Sequence, residues 1–290
     1  MEKSETGMSI LVFGKTGQLA RELARHEGVI CLGRDQADLS DPAACAAFIQ
    51  EQAPKAVINA AAYTAVDQAE AEEMLATRIN AEAPAAMAIA CADLDIPFVT
   101  LSTDYVFDGS GTDPWQPDDK TGAINAYGRS KANGEALVTK AGGRSVILRV
   151  SWVVSCHGNN FVKTMLRLGA ERDALNIVDD QIGAPTPARD IAATCIEIVE
   201  QLRSDAGKAG TYHYAGAPET SWACFARETF SQANISCAIT GIPTTDYPTP
   251  AQRPLNSRLD CSALKAVFGL SQPDWRKGLQ EILQDLETLT

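Results

Sequence analysis

The chain has 290 residues, 45% of them hydrophobic, which suits one large α/β domain, alone or with a smaller companion. Its formal net charge of −12 and pI of about 4.7 disfavour nucleic acid and anionic membranes as partners, because like charges repel at long range. The eight scattered cysteines contain no C-x-x-C pair, and the polar residues 1–9 lack the apolar run of a secretory signal. We therefore expect free thiols and a cytoplasmic location.

A strand, a glycine turn and a helix open the patterned part of the chain. The apolar run 10–13 leads into Gly14-Lys-Thr-Gly-Gln-Leu19, and a helical pattern follows through Ala24. A glycine turn at the start of a helix can cradle the pyrophosphate of a dinucleotide. The G-x-x-G spacing is shorter than the full fingerprint, however, so the turn alone also fits an ordinary strand-to-helix connection.

The end of the second predicted strand, 29–32, bears on the choice of cofactor. Arg34 follows it, and an arginine here can hold the 2′-phosphate of NADP, whereas an acidic residue selects NAD. Asp35 is adjacent, so the signal is mixed and favours NADPH over NADH only modestly. The third strand, 56–59, runs into small residues around Ala62, which fit either a ligand approached closely by the backbone or simple helix–sheet packing.

The chemistry centres on residues 98–135. A buried strand, 98–101, ends in the hydroxyls of Ser102 and Thr103, and a later helical run carries Tyr127 and Lys131 four residues apart. That spacing places the phenol and the ammonium on one helix face. A nearby cation lowers the pKa of a phenol, which prepares it for proton transfer, and either strand-end hydroxyl could hold the same substrate oxygen. A surface helix carrying Tyr and Lys by chance is the alternative.

The alternation of strands and helices predicts an α/β fold with a doubly wound parallel sheet of the Rossmann type and a smaller mixed α/β substrate domain. We assign residues 8–150 and 186–215 to the dinucleotide-binding domain, and 151–185 and 216–290 to the substrate-binding domain. The segments 179–187 and 242–260 are rich in glycine or proline and are predicted to be irregular. Ligands of such sheets bind beyond the carboxyl ends of the strands, where the glycine turn, Arg34, Ala62 and Thr103 all fall.

Other constellations weigh less. The three histidines, His26, His157 and His213, have no metal-ligand spacing, so no zinc site is predicted. Cys156 and His157 could form a nucleophile pair, but neighbours in sequence seldom face one another. Arg253, in the proline-rich segment, is a candidate for a phosphate contact or an ordinary surface arginine.

Eight stretches together resemble the dTDP-4-dehydrorhamnose reductase family of the extended short-chain dehydrogenase/reductase superfamily. They cover nearly the whole chain: GKTGQLA at Gly14, NAAAYTAVDQAE at Asn59, LSTDYVFDG at Leu101, YGRSKANGE at Tyr127, RVSWV at Arg149, NNFVKTML at Asn159, DDQIGAPT at Asp179 and YPTPAQRPLNSRLD at Tyr247. The resemblance implies NADPH- or NADH-dependent reduction of the C4 ketone of dTDP-4-dehydro-β-L-rhamnose to dTDP-β-L-rhamnose.

The resemblance also implies roles for individual residues. The catalytic group would be Tyr127 as proton donor, Lys131 and Thr103, with Thr103 preferred to Ser102 because it precedes Asp104. The cofactor would lie along Gly14, Thr16, Gly17, Gln18, Leu19, Arg34, Asp38, Leu39, Ala62, Tyr63 and Thr64, together with Tyr127 and Lys131. The sugar would meet Thr103, Asp104 and Trp152, while Arg253 as a diphosphate contact is our own interpretation.

Three matters stay open at this point. Family members are monomers or dimers, some with Mg²⁺ at the dimer interface, and Glu22 could belong to such an interface, although no ligand cluster shows in the sequence. A related 4-keto-6-deoxy nucleotide sugar could fit the same cleft. The fold also resembles the non-catalytic regulatory subunit of methionine adenosyltransferase, although the presence of Thr103, Tyr127 and Lys131 favours an enzyme.

Overall fold

The computed structural model describes residues 9–289, so the predicted amino-terminal extension, residues 1–8, and Thr290 lie outside the described residues. The strands are β1 (Ile10–Phe13), β2 (Val29–Leu32), β3 (Ala56–Asn59), β4 (Phe98–Thr103), β5 (Ser145–Val150), β6 (Val153–Val154), β7 (Ala174–Val178), β8 (Ile182–Gly183), β9 (Thr186–Pro187), β10 (Gly210–Tyr214), β11 (Thr220–Ser221) and β12 (Ala238–Ile242). The helices are α1 (Gln18–Leu23), α2 (Pro42–Gln52), α3 (Val66–Ala69), α4 (Glu73–Thr77), α5 (Ala83–Asp93), α6 (Ala126–Ala141), α7 (Phe161–Glu171), α8 (Ala188–Ser204), α9 (Trp222–Gln232), α10 (Ser262–Phe268) and α11 (Trp275–Leu289).

A parallel six-stranded sheet forms the centre of the molecule, in the order β10-β5-β4-β3-β1-β2. One of its faces packs against α1 and α8, and the other against α2, α5 and α6. Because helices cover both faces, the inner strands are continuous apolar runs rather than alternating ones. The predicted doubly wound α/β class is confirmed.

A smaller mixed α/β body follows the sheet. It contains the strand pairs β7–β12, β8–β11 and β6–β9, and its apolar clusters involve α7, α9 and α11. An isolated bridge between Trp115 and Leu259 connects its carboxyl-terminal segment to the loop after β4. No helix among residues 9–289 is both long and apolar enough to span a bilayer.

Two local predictions differ from the structure. The single helical run predicted over 70–92 begins at Glu73 and is divided into α4, a π-helical turn over Arg78–Glu82, and α5. The wider turn lets the Asn80 side chain reach both Tyr63 and Ser130, a tertiary demand that periodicity does not reveal. The segment before 242 was not predicted as a strand, yet β12 forms there because β7 supplies a parallel partner.

Candidate active site

A cleft of about 840 Å³ crosses the carboxyl ends of the sheet strands. It is lined by every residue that the sequence assigned to the cofactor: Gly14, Thr16, Gly17, Gln18, Leu19, Arg34, Asp38, Leu39, Ala62, Tyr63, Thr64, Tyr127 and Lys131. The carboxyl ends of parallel strands meet at one edge of a sheet, which explains why segments so far apart in sequence share one cleft.

The glycine turn is fixed by contacts that sequence reasoning missed. Gly14 has a φ of +120°, a conformation open to glycine, and a Cβ there would lie 3.4 Å from the backbone of Ala60 and Ala61. The Gln18 Nε2 atom donates to the Val153 carbonyl at 3.3 Å, and its Oε1 accepts from Asn160 at 2.9 Å. Gln18 therefore ties the turn to the segment that follows β5.

The far wall of the cleft contains Arg34 and Asp38. The Asp38 carboxylate accepts a hydrogen bond from the Ser40 backbone N–H at 2.9 Å, and this bond lowers the pKa of Asp38. Leu39 is buried beside it, so an apolar surface adjoins the charged one. The pairing of an apolar wall with a nearby guanidinium suits an adenine ring and a phosphate.

Asn80 positions the Tyr63 segment, although it was not predicted as a site residue. Its side chain accepts from the Tyr63 N–H at 2.8 Å and donates to the Tyr63 carbonyl at 3.0 Å and to Ser130 Oγ at 2.9 Å. The Tyr63 hydroxyl donates to Glu72 at 2.7 Å, and this hydrogen bond raises the pKa of Tyr63 to about 12. Tyr63 is thus a wall of the cleft rather than a source of protons.

The predicted catalytic residues lie together. Asn125 caps α6 by accepting from the Gly128 N–H at 2.8 Å, so the helix begins just before Tyr127. Thr103 is the last residue of β4, and its hydroxyl lies at the Tyr127 phenol. Lys131 lies one turn farther along α6 and lines the same cleft.

The pKa of Tyr127 differs from the sequence-based expectation. Burial raises this pKa to about 12, although the hydrogen bond from Thr103 opposes the change. The Lys131 Nζ atom donates a hydrogen bond to the Leu101 carbonyl at 2.6 Å. Burial in turn lowers the pKa of Lys131 to about 8, against the pull of Glu135. Tyr127 is therefore a protonated phenol at neutral pH, the state that a proton donor requires.

The choice between the two strand-end hydroxyls is decided by Glu135, a further residue on the same face of α6. Ser102 Oγ donates to the Glu135 carboxylate, which also forms a bidentate pair with Arg149 at 2.6 and 2.9 Å. Ser102 is thus held by Glu135, whereas the Thr103 hydroxyl is the one that lies at the Tyr127 phenol. The four-residue spacing of Tyr127 and Lys131 gave no signal for the pairing of Glu135 with Arg149, because this pairing spans two elements.

Asp104 and Arg253 lie beside this group. Burial raises the pKa of Asp104 to about 6; the nearby Ser257 hydroxyl and Thr103 act in the opposite direction, and the Oδ2 atom of Asp104 accepts no hydrogen bond within the described residues. Arg253 is ion-paired with Asp67 at 2.9 Å and donates to the Ala251 carbonyl at 2.8 Å. Its charge also acts on Tyr105, whose ring touches that of Tyr127, which places Arg253 near the catalytic face.

Trp152 follows β5 directly and has a φ of +46°. Its ring stacks on that of Trp222, with the centroids 3.7 Å apart and the planes at 14°. Trp222 lies 70 residues later, at the start of α9, and was not predicted to belong to the site.

The surroundings of Glu22 do not fit a magnesium ion. Its carboxylate pairs with Arg25 at 3.1 Å and His157 at 3.3 Å, and Arg189 Nε lies 4.0 Å away. Mg²⁺ favours six oxygen ligands, whereas guanidinium groups already neutralise the acidic groups here.

The residues around Glu22 change two interpretations that were based on sequence spacing: one on metal-ligating histidines and one on Cys156 and His157. Glu22, Cys156 and His157 bring their ligand atoms within 4.8 Å of one another, which the spacing of the histidines did not reveal. The Cys156 Sγ atom lies 3.6 Å from the His157 ring nitrogens, so these two neighbours do face each other. Burial and the nearby Asp285 and Glu22 raise the pKa of Cys156, however, so its thiol is not activated as a nucleophile.

A Rossmann sheet, a cleft along its carboxyl edge, and a Thr–Tyr–Lys group at the mouth of that cleft define a dinucleotide-dependent reductase of the short-chain type. The sequence profile of the RmlD substrate binding domain family matches residues 8–288. The chain therefore belongs to this family, that of the dTDP-4-dehydrorhamnose reductases.

Individual relatives agree over nearly their full length. The chain is 43% identical to the dTDP-4-dehydrorhamnose reductase of Sinorhizobium fredii, covering 95% of this chain and 97% of the relative. Among solved structures, the reductase from Clostridium acetobutylicum superposes with a TM-score of 0.91 at 35% identity, over 97% of this chain and 100% of that one. The Bacillus anthracis reductase in complex with NADP gives a TM-score of 0.89 at 33% identity, over 96% and 99%.

Proposed function

We propose that this protein is a reductase that converts the C4 ketone of dTDP-4-dehydro-β-L-rhamnose to the alcohol of dTDP-β-L-rhamnose, with NADPH or NADH as the reductant. The observation that carries the proposal is the grouping of the Thr103 hydroxyl, the Tyr127 phenol and Lys131, with Tyr127 and Lys131 in the wall of the cleft that all the assigned cofactor residues line. Solved structures of dTDP-4-dehydrorhamnose reductases share this architecture, one of them with NADP bound.

The cofactor, when bound, supplies a hydride to the carbonyl carbon, and the residues of this chain manage the proton. Thr103 and Tyr127 hold the carbonyl oxygen by hydrogen bonds and polarise it. The Tyr127 phenol, protonated because burial raises its pKa, gives its proton to the oxygen as the C4 alcohol forms. Protonated Lys131 then stabilises the phenolate that remains, until a proton returns from solvent.

The remaining roles follow the position of each residue. We assign Gly14, Thr16, Gly17, Gln18 and Leu19 to the cofactor phosphates, Arg34 to a 2′-phosphate, and Asp38 and Leu39 to the adenosine end. Ala62, Tyr63 and Thr64 line the cleft, while Lys131 also holds the nicotinamide ribose. Residues 8–150 and 186–215 form the cofactor-binding part, and 151–185 and 216–290 form the substrate-binding part.

The substrate side is assigned to four residues. Thr103, Asp104 and Trp152 contact the hexose, and the unpartnered Oδ2 atom of Asp104 is an acceptor for a sugar hydroxyl. Arg253, held in place by Asp67, faces the diphosphate. The protein acts on its own or as a homodimer, in the cytoplasm, where its eight free cysteines stay reduced.

The decisive test is NADPH consumption by the purified protein with dTDP-4-dehydro-β-L-rhamnose, generated in place by the upstream dehydratase and epimerase. We expect oxidation only when the keto sugar is present. A Tyr127→Phe variant should lose about 10²–10⁴-fold in kcat while binding NADPH as before. If that variant reduces the sugar normally, the assigned role of Tyr127 is wrong.

Two other outcomes separate the alternatives. Turnover of another 4-keto-6-deoxy nucleotide sugar, with none of the rhamnose precursor, keeps the reaction and changes the substrate. Cofactor binding with no turnover on any nucleotide sugar, together with a stoichiometric protein partner, supports a regulatory subunit instead.

A further inference from the structure

The backbone at Trp152 is held in an unfavourable conformation. Its φ of +46° lies in the left-handed region, which bulky residues rarely adopt because their Cβ meets the carbonyl oxygen. Such strain persists only where the surroundings hold it, and it concentrates at ligand sites. The contacts that maintain Trp152 are therefore informative about the site that it faces.

Two elements hold Trp152 in place. The Trp222 indole stacks on its ring at 3.7 Å, close to parallel. Gly183 lies against the ring, since a Cβ built there would be 3.0 Å from Cε2 of Trp152 and 3.0 Å from Cβ of Ser257. Replacing Gly183 by any other residue would push one of these side chains away.

Trp222 is itself fixed from behind. Its Nε1 donates to Gln181 Oε1 at 3.2 Å, and the amide of Gln181 donates onward to Thr244 Oγ1 at 3.1 Å. Phe161 packs on the same indole with the centroids 4.7 Å apart. The indole therefore has one preferred orientation, set by a hydrogen bond and an aromatic neighbour.

The stack is connected to the catalytic group through a short series of contacts. Gly183 touches both Trp152 and Ser257, and the Ser257 hydroxyl lies at the Asp104 carboxyl group. Asp104 accepts a hydrogen bond from the Thr103 hydroxyl, which lies at the Tyr127 phenol. Trp152 and Trp222 are also both partly exposed, so the pair presents an accessible aromatic face.

We propose that Trp222 is a positioning residue for the sugar: it holds the Trp152 ring against the hexose and so sets where C4 lies relative to Tyr127. This inference rests on the proposed function and adds Trp222, Gln181 and Gly183 to its machinery. An aromatic face suits the apolar C–H surface of a deoxyhexose, and a displacement of about 1 Å at a reacting atom costs about 10²-fold in rate.

The test compares Trp222→Leu with Trp222→Phe in kinetics and in binding. We expect Trp222→Leu to raise KM for the dTDP-keto sugar and weaken dTDP-rhamnose binding by about tenfold, and to lower kcat by a further factor of ten or more. KM for NADPH and the affinity for dTDP alone should stay as in the wild type. Trp222→Phe, which keeps an aromatic face, should recover most of the loss.

A matched control separates positioning from general loosening of the fold. Phe268 packs edge-on against Tyr212 with the centroids 5.2 Å apart, in the core against the central sheet, so Phe268→Leu removes an aromatic contact away from Trp152. We expect this variant to lose thermal stability without the selective loss of sugar binding. Trp222→Leu kinetics equal to the wild type, or equal losses for dTDP, NADPH and the sugar, would overturn the proposal.

Different results would contradict the proposed function and the positioning role of Trp222. If the wild-type protein reduces no keto sugar, the proposed function fails. If the wild type turns over and Trp222→Leu is indistinguishable from it, only the positioning role fails.

Discussion

The carboxylate of Glu135 and the guanidinium of Arg149 form a buried bidentate ion pair one helical turn beyond Lys131. Their side chains are only 10% and 5% exposed, and the two hydrogen bonds measure 2.6 and 2.9 Å. Arg149 also reaches the Pro117 carbonyl at 3.0 Å, and Glu135 accepts from Ser102. This pair joins α6 to β4 and β5 and so fixes the face that carries Tyr127.

Breaking this pair should destabilise the fold strongly. Glu135→Gln leaves the Arg149 charge buried without its partner, which costs about 3–5 kcal/mol of unfolding free energy. Urea unfolding of both proteins measures the difference. The control is Glu73→Gln at the half-exposed pair with Arg129, where at most about 1 kcal/mol is expected. Equal effects at the two sites would contradict the structural role given to Glu135.

Removing the Thr103 hydroxyl and removing the Ser102 hydroxyl should have different effects on kcat and on stability. Thr103→Ala removes the hydroxyl beside the Tyr127 phenol and is expected to lower kcat by about 10²-fold with little change in stability. Ser102→Ala removes only a hydrogen bond to Glu135, so it should cost stability and leave most of kcat intact. Steady-state kinetics and thermal unfolding of both variants decide the matter. A larger loss of kcat in Ser102→Ala would reverse the assignment.

The pH dependence of turnover should report on Lys131. Its pKa is lowered to about 8 by burial, so it is protonated below that pH and becomes neutral above it. The phenolate left on Tyr127 then lacks its cation, and kcat should fall above a pH of about 8. Tyr127 itself, with a pKa of about 12, stays protonated across the range. In Lys131→Met, kcat should already be low, and its decrease above a pH of about 8 should disappear. A decrease at the same pH in this variant would exclude Lys131 as its cause.

Asp104 should make stability depend on pH. Burial raises its pKa from 3.8 to about 6, so the folded state binds a proton more tightly than the unfolded state. Stability from this group is therefore greatest below a pH of about 4 and decreases up to about 6, by roughly 3 kcal/mol in total. Asp104→Asn should accordingly be more stable than the wild type at pH 8 but not at pH 4, while binding sugar less well. A constant difference between the two proteins would show that Asp104 does not titrate in this range.

Cofactor preference should depend on Arg34. Removing the guanidinium in Arg34→Ala takes away a charge-assisted hydrogen bond to a 2′-phosphate, worth about 1.5–3 kcal/mol. KM for NADPH should rise about tenfold or more, while KM for NADH, which lacks that phosphate, should stay close to its wild-type value. The KM for NADH, measured on the same variant, is the control for the KM for NADPH. Equal changes for both cofactors would remove Arg34 from phosphate recognition.

Much of the site was predictable because it is encoded locally. Apolar runs, glycine turns and the four-residue spacing of Tyr127 and Lys131 depend on neighbours in the chain, and the carboxyl ends of parallel strands necessarily converge. These rules predicted the sheet and placed the glycine turn, Arg34 and Ala62 at its carboxyl edge, while the other cofactor residues that line the cleft were implied by the family resemblance. Whether each one binds as assigned stays a prediction.

Tertiary structure alone decided the pKa values and the hydrogen-bond partners of the site residues. The sequence determined that a phenol and an ammonium share a helix face, but burial, not proximity, sets their pKa values, and burial depends on what the rest of the chain covers. The choice of Thr103 over Ser102 required Glu135 and Arg149 to meet across two elements. The Trp152–Trp222 stack and the π-helical turn at Asn80 likewise join residues 70 and 50 positions apart. No local pattern encodes such contacts, because they exist only once the packing of distant segments has brought the side chains together.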